Sequence, residues 1–306
     1  DLKESLSISN LIAVKDSYTT DKERKEYIQL LRRAVTLQKM PTDDSLEEMT
    51  TRGRVWQMLM GVYSINTTEY LDECKKSDNS KWEKIYCDYD RTFNKDDLYK
   101  KRDGINKIVR LLNGLCNSLE QYNIKYLQGL NVLAGVFLSV MPEVDSYFCV
   151  KKLILELIPT YYGANGAIQG SLNATQLLDE CLRIVDPTLF GHLYRVEFTP
   201  QLLLKCFISL SASTRPLEQA LILWDYYFVN GFYNIVYITL AQVLMVRDIL
   251  LSKENPASLF KELPPLQSKK LITIANACKQ QIPYELQQRI KKHTVGEQHQ
   301  GLSVRV

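Results

Sequence analysis

Two short stretches of the chain carry side chains suited to stabilising charge and positioning water. The first stretch places Ile85, Asp88 and Arg91 three residues apart, so on a helix they would share one face. An aspartate beside a guanidinium can fix the fork of N–H groups through charge-assisted hydrogen bonds. The second stretch, residues 126–131, presents Gln128 between a tyrosine and a glycine at the start of an apolar run.

Arg91 and Gln128 carry the two types of side chain that one protein needs to assist phosphoryl transfer in another. This reaction needs positive charge where negative charge develops, and a correctly placed water. A guanidinium supplies the charge, and a side-chain amide can orient the water because it both donates and accepts hydrogen bonds. Considered alone, Arg91 could equally be an arginine in a surface salt bridge, and Gln128 could be an ordinary residue at the start of a helix. Their order and their flanking residues make the pair informative.

Other kinds of chemistry lack their usual motifs. The chain has three histidines and seven scattered cysteines, with no Cys-x-x-Cys and no Gly-x-Ser-x-Gly. The glycine-rich residues 162–170 are not followed by the Lys-Ser/Thr of a phosphate loop. We therefore predict no metal site and no cofactor of the chain's own, and the sequence gives no strong case for hydrolysis or hydride transfer by this chain alone.

Composition is that of a soluble globular protein. Of the 306 residues, 45% are hydrophobic and 24% are charged, and the net charge of +3 does not favour nucleic acid as a partner. The longest apolar run, Ile235–Val246, is about half of a membrane span. With no signal peptide apparent and mostly apolar surroundings for the cysteines, we expect a soluble, intracellular chain without a transmembrane segment.

Helical periodicity dominates the sequence, and strand-like alternation is scarce. Thr20–Glu23 has the capping-box pattern of a helix start. Apolar residues spaced by three and four between 105 and 119 predict an amphipathic helix. A buried helix is predicted over 131–141, followed by another over 147–157. The sequence therefore predicts an all-α protein.

The predicted domain organisation is one helical domain with two lobes. An N-terminal arm, residues 1–19, precedes a single domain over 20–295, and a polar tail covers 296–306. The sequence leaves open whether the arm is ordered. Within the domain, the glycine-rich segment separates an N-terminal lobe of about 20–160 from a C-terminal lobe of about 171–295.

Four blocks of the sequence, in order, resemble those of the TBC-domain family of Rab GTPase-activating proteins. They are the opening block Arg54-Val-Trp56 with Leu59 and Gly61, the arginine-finger block Ile85-x-x-Asp88-x-x-Arg91-Thr92, the glutamine-finger block Tyr126-x-Gln128-Gly129-Leu130-Asn131, and the second-lobe block Leu223–Phe228 with Gly231. Together the blocks span most of the chain.

The resemblance implies an all-helical, two-lobed TBC domain that has no reaction of its own and acts in trans on a small Rab-like GTPase, which would carry the GTP and Mg²⁺. Gln128 would position the attacking water, and Arg91 would neutralise charge on the transferring phosphoryl group. Asp88 would orient Arg91 or its loop, Tyr126 would support the Gln128 turn, and Gly129 would allow close backbone approach. The other supporting positions are Ile85, Thr92, Asn131, Arg54 and Trp56, of which Arg54 would bond the loop or the partner.

Further segments resemble one branch of this family, the catalytic subunit of the two-component GAP of yeasts that restrains mitotic exit and septation. Residues 205–211 lack the tryptophan of typical family members, as that branch does. The resemblance implies a scaffold subunit as a second partner, and a cytoplasmic chain recruited to the spindle pole or an organelle surface. A non-catalytic scaffold that kept the fold is the alternative. The sequence does not identify the GTPase. The segments are Leu177–Asp179, Arg183–Pro187, Pro216–Gln219, and Trp224-Asp225 with Gly231-Phe232.

Overall fold

The protein is all-helical in the part of the chain that the computed structural model describes. That part is residues 7–38, 40–41, 49–76, 82–89, 92–93, 96, 99–100, 104–254, 256, 259–260 and 263–296, and it contains no β-strand. The predicted all-α fold class is thereby confirmed. The helices of the first half are α1 (Ile8–Ala13), α2 (Asp21–Leu37), α3 (Thr51–Leu59), α4 (Thr67–Lys75), α5 (Trp82–Tyr89), α6 (Gly104–Leu119), α7 (Leu130–Leu138) and α8 (Glu143–Lys152).

The second half continues with helices of similar length. They are α9 (Gln169–Val185), α10 (Pro187–Arg195), α11 (Leu204–Ile208), α12 (Leu217–Asn230), α13 (Ile235–Met245), α14 (Arg247–Leu251), α15 (Ser268–Gln281) and α16 (Tyr284–Lys292).

Local sequence signals account for where several helices begin. Thr20 and Glu23 form the predicted capping box at the start of α2, each side chain bonding the other's backbone N–H. Asp186 caps α10 by accepting from Leu189 N at 2.9 Å, and Pro187 occupies the first helical position, where no N–H is needed. α9 ends directly before this pair, as the Asp-Pro sequence predicts.

The apolar segment after Gly129 becomes the central helix of the first half. Every residue of α7 except Val132 is buried, because α6 and α8 pack against it. α7 ends at Leu138, three residues before the predicted end. α8 begins at Glu143, one turn earlier than predicted, directly after the N-cap Pro142 and with acidic Glu143 and Asp145 in its first turn, where the helix dipole favours them.

The core is continuous from the first half of the chain to the second. Trp56 on α3 packs against Phe137 on α7, and against Trp224 and Phe228 on α12, with ring centroids 5.0–5.9 Å apart. Within the predicted N-terminal arm, α1 buries residues against the same core. The division into two lobes at the glycine-rich segment stays a prediction.

Candidate functional site

The helix α5 carries the first of the two finger blocks and turns its Ile85 and Asp88 face inward. Ile85 is fully buried in the core, and Asp88 is also buried, in agreement with the three-residue spacing. At the end of the helix the Thr92 hydroxyl donates to the backbone carbonyl of Asp88 at 2.7 Å, and Thr92 N donates to Tyr89 O at 3.1 Å. The chain is therefore fixed on both sides of Arg91, which itself lies outside the described residues.

The buried carboxylate of Asp88 connects α5 to the second block. The Tyr126 hydroxyl donates a hydrogen bond to Asp88 Oδ2, and the two oxygens are 2.6 Å apart. An O–H···O hydrogen bond of this length is at the short end of the usual range. Tyr126 lies two residues before Gln128, so this bond holds the start of the Gln128 turn against the end of α5.

Asn131 provides a second connection between the same two blocks. Its Nδ2 donates to Thr92 Oγ1 at 2.8 Å, while its Oδ1 accepts from Gly129 N at 3.0 Å. Because Thr92 also bonds Asp88, the hydrogen bonds run without a break from Tyr126 through Asp88, Thr92 and Asn131 to Gly129. We call this set of five residues the finger link.

Gln128 is exposed at the turn that the finger link encloses. Leu130 N donates to Leu127 O at 3.1 Å, which closes a tight turn directly before α7. Gly129 has φ of +110°, in the left-handed region that favours glycine. A Cβ at this residue would lie 2.4 Å from Ile208 Cγ2. The turn therefore requires glycine for its backbone angle and for the close approach of α11.

A second glycine brings the arginine-finger block onto α7. A Cβ on Gly135 would lie 2.8 Å from Phe93 Cδ2 and 3.0 Å from Thr92 Cγ2. Without a side chain at this residue, the two residues after Arg91 can pack directly against the helix that follows Gln128. Gly135 is not among the residues predicted for the site, although a glycine within a run of apolar side chains is a visible signal of close packing.

Trp56 of the opening block and Arg52, two residues before that block, both bond the carboxylate of Asp225. Arg52 Nε lies 3.1 Å from Asp225 Oδ1, and Trp56 Nε1 donates to the same oxygen at 2.8 Å. Burial raises the pKa of Asp225, and the guanidinium of Arg52 opposes that rise. Arg54, the arginine predicted from the sequence, is exposed on the other side of α3. Arg52 was not among the predicted residues, although its four-residue spacing from Trp56 indicates a shared face of the helix.

Trp56 is a core residue that lies apart from the finger link. Its ring packs against Phe137, which follows the start of α7 by about two helical turns. The structure therefore brings together Asp88, Thr92, Tyr126, Gly129 and Asn131 next to Gln128. It buries Ile85 in the core on the Asp88 face of α5, and it places Arg54 and Trp56 elsewhere, on α3.

The described residues give no sign of a metal centre or a membrane-spanning helix. No group of three or more His, Cys, Asp or Glu side chains is placed to hold a metal ion. Within the same part of the chain, no helix is both long enough and apolar enough to cross a bilayer. Cysteines are free thiols, and burial raises the pKa of Cys116 to about 12 and that of Cys206 to about 11.

Comparison with known proteins finds relatives of similar sequence. A protein of Dictyostelium discoideum that carries the name mitotic check point protein BUB2 is 32% identical over 273 residues, which cover 86% of this chain and 74% of the relative. Cell division control protein 16 of Schizosaccharomyces pombe is 29% identical over 268 residues, which cover 87% of this chain and 88% of the relative.

A solved structure shows the same fold. The crystal structure of the Ypt/Rab-GAP domain of Gyp1p aligns with a TM-score of 0.66 and 17% identity, covering 89% of this chain and 98% of that domain. The Rab-GTPase-TBC domain family matches residues 49–251, about two thirds of the chain. The chain belongs to the Rab-GTPase-TBC domain family.

Proposed function

We propose that this chain is a GTPase-activating protein that accelerates GTP hydrolysis by a small Rab-like GTPase, and that it supplies Arg91 and Gln128 in trans. The finger link carries this proposal. It joins the end of the arginine block to the turn of the glutamine block through consecutive hydrogen bonds of 2.6–3.0 Å. Membership of the Rab-GTPase-TBC family supports a small GTPase as the partner.

The chemistry assigned to the two fingers follows from their side chains. Arg91 would stabilise the negative charge that develops on the transferring phosphoryl group, and Gln128 would orient the attacking water. The exposure of Gln128 allows it to enter the site of a partner. In this proposal GTP and Mg²⁺ are carried by the GTPase, and the chain contributes no cofactor of its own.

In this proposal the finger link holds the backbone segments that carry the two fingers. Asp88 and Thr92 hold the backbone on either side of Arg91, and Asn131 holds that backbone against the Gln128 turn. Pre-set geometry favours catalysis, because the cost of ordering the catalytic groups is met when the protein folds. The exposed Arg54 lies free of the finger link and is proposed to contact the GTPase.

The cellular role is proposed from the relatives. Two similar proteins carry names that refer to a mitotic check point and to cell division control. We infer that the chain acts in the control of mitotic exit or septation, in the cytoplasm and at the spindle pole or an organelle surface, together with a scaffold subunit.

A single-turnover assay tests the catalytic proposal. Rab-like GTPases loaded with GTP are mixed with the wild-type chain, with Arg91→Ala or with Gln128→Ala. Removal of the arginine should lower the stimulated rate by about three orders of magnitude or more, while circular dichroism stays unchanged. Matched controls are Arg33→Ala and Gln280→Ala, which alter exposed residues of α2 and α15. Full activity in both finger variants would contradict the assigned roles, and the same panel tested with a candidate scaffold subunit separates a missing partner from a missing activity.

A further inference from the structure

The turn that follows α11 has an unusual backbone. Leu210 and Ser211 have φ of +49° and +66°, so two consecutive residues other than glycine lie in the left-handed region. This region brings Cβ close to a carbonyl oxygen, and such residues persist only where the surrounding structure holds them. We call residues 208–211 the clamped turn.

Three buried aromatic side chains hold the clamped turn. The contacts are the Tyr162 hydroxyl to Ile208 O at 2.9 Å, the Trp224 indole N–H to Leu210 O at 3.1 Å, and the Tyr227 hydroxyl against Ser211 Oγ at 3.4 Å. All three aromatic residues are at most 2% exposed. Leaving a buried donor without its acceptor costs free energy, so these contacts stabilise the observed backbone of the turn.

The clamped turn lies directly against the Gln128 turn. Ile208 Cγ2 is 2.4 Å from the point where a Cβ of Gly129 would lie, and the Tyr162 hydroxyl oxygen is 3.4 Å from that point. Gly129 is the residue after Gln128 and the N-cap of α7. The finger link bonds the Gln128 turn on the α5 side, and the clamped turn supports it from the second half of the chain.

We infer that Tyr162 and Ile208 are positioning residues that set the place of Gln128 through the backbone of Gly129. This inference rests on the proposed role of Gln128 in GTP hydrolysis. Gln128 is itself exposed, so its position depends on the backbone of its turn. A displacement of about 1 Å at a positioning contact can cost a large factor in rate, which gives the contact a functional consequence.

Hydrogen–deuterium exchange tests the placement without a GTPase. Gly129 N and Leu130 N are bonded within the turn, to Asn131 Oδ1 and Leu127 O, so a peptide covering residues 124–133 reports its opening. In Tyr162→Phe, exchange of these amides should be about five- to tenfold faster. The matched control is Tyr237→Phe, since that buried hydroxyl has no hydrogen-bond partner among the residues that the structure describes. Unchanged exchange in Tyr162→Phe would overturn the inference.

A pair of variants at Ile208 keeps the test decisive if Tyr162→Phe loses protection along the whole chain. Valine retains the Cγ2 methyl that faces Gly129, and leucine lacks it. Exchange at Gly129 and Leu130 should therefore rise in Ile208→Leu and stay near the wild-type rate in Ile208→Val. Equal exchange in the two variants would overturn the contact as the cause.

Kinetics with GTP-loaded Rab-like GTPases separate positioning from partner binding. Tyr162→Phe should lower kcat about five- to tenfold with KM unchanged, and Tyr237→Phe should change neither. A higher KM with unchanged kcat would overturn a positioning role. If the wild-type chain stimulates no GTPase of the panel, with or without a candidate scaffold subunit, the proposed function fails, while the exchange experiment still decides whether the clamped turn places the Gln128 turn.

Discussion

Three glycines of this chain allow the two requirements at Gly129 to be measured separately. Gly129 has both a left-handed backbone and a neighbour in the place of a Cβ. Gly166 has φ of +77° but no atom within 4 Å of its Cβ position. Gly191 lies inside α10, with an ordinary helical backbone and the same open space. Gly129→Ala therefore tests the backbone angle and the close neighbour together. Gly166→Ala tests the backbone angle alone, and Gly191→Ala tests neither.

The expected changes in unfolding free energy follow from these environments. Gly191→Ala should stabilise the protein by up to about 1 kcal/mol, because alanine is the better helix former. Gly166→Ala should destabilise it by about 1–2 kcal/mol, the cost of the left-handed region for a residue with a Cβ. Gly129→Ala adds the overlap with Ile208 Cγ2, 2.4 Å away, to that backbone cost. Overpacking of a core costs about 1–3 kcal/mol, so the total is about 2–5 kcal/mol.

Urea unfolding followed by circular dichroism measures the series. The midpoints should fall in the order Gly191→Ala, wild type, Gly166→Ala and Gly129→Ala, with similar slopes. The reasoning would be refuted if Gly129→Ala were as stable as Gly166→Ala, since the contact with Ile208 would then contribute nothing. In the GTPase assay, Gly129→Ala should lose activity under conditions where it stays folded, and Gly166→Ala should retain it.

Three further predictions concern pH, the finger link and thiol reactivity. Burial lowers the pKa of His293 from 6.5 to about 4. Between these two pH values the unfolded state binds more protons than the folded state, so the free energy of unfolding falls with falling pH, by about 3 kcal/mol in total. Urea midpoints at pH 7 and pH 4.5 should show this fall, and His293→Gln should reduce it; an equal fall in both proteins would contradict the assignment. Asn131→Leu leaves the Gly129 N–H without its acceptor and removes a donor from Thr92, so it should lower the free energy of unfolding by about 2–4 kcal/mol. A shift of the urea midpoint worth less than about 1 kcal/mol would show that this connection does not stabilise the fold. Cys87 is the exposed cysteine of the described residues and should react first with iodoacetamide in the folded protein, as peptide mass spectrometry would show; faster labelling of a buried thiol would contradict the fold there.

Local sequence patterns predicted the parts of the site that a single helix determines. The three-residue spacing of Ile85 and Asp88 indicated one face of a helix, and both residues are buried on that face of α5. The family resemblance implies a close backbone approach at Gly129, and a Cβ at that residue would lie 2.4 Å from Ile208 Cγ2. The shared face of Ile85 and Asp88 could be predicted because it depends on residues a few positions apart.

The contacts that hold the site together could not be predicted in the same way. Asn131 and Thr92 are 39 residues apart, and Tyr162 and Ile208 are 46 residues apart. No local pattern states which distant residues will meet. The left-handed backbone of Leu210 was also hidden, because leucine rarely adopts it and nothing in its neighbours indicates a turn of that kind.

The Trp-Asp pair of α12 explains why a block distant from both fingers belongs to the same resemblance. Consecutive helical residues point about 100° apart, so a dipeptide can bond two different neighbours. Trp224 donates to the clamped turn at Leu210 O, and Asp225 accepts from Trp56 of the opening block and from Arg52 just before it. Trp224 thus supports the turn next to the Gln128 turn, and Asp225 fixes α3 to the second half of the chain. Loss of the Trp224 side chain should therefore change the Gln128 turn, whereas loss of the Asp225 side chain should change the attachment of α3, and neither substitution alters Arg91 or Gln128. The exchange rate at Gly129 would distinguish the two losses.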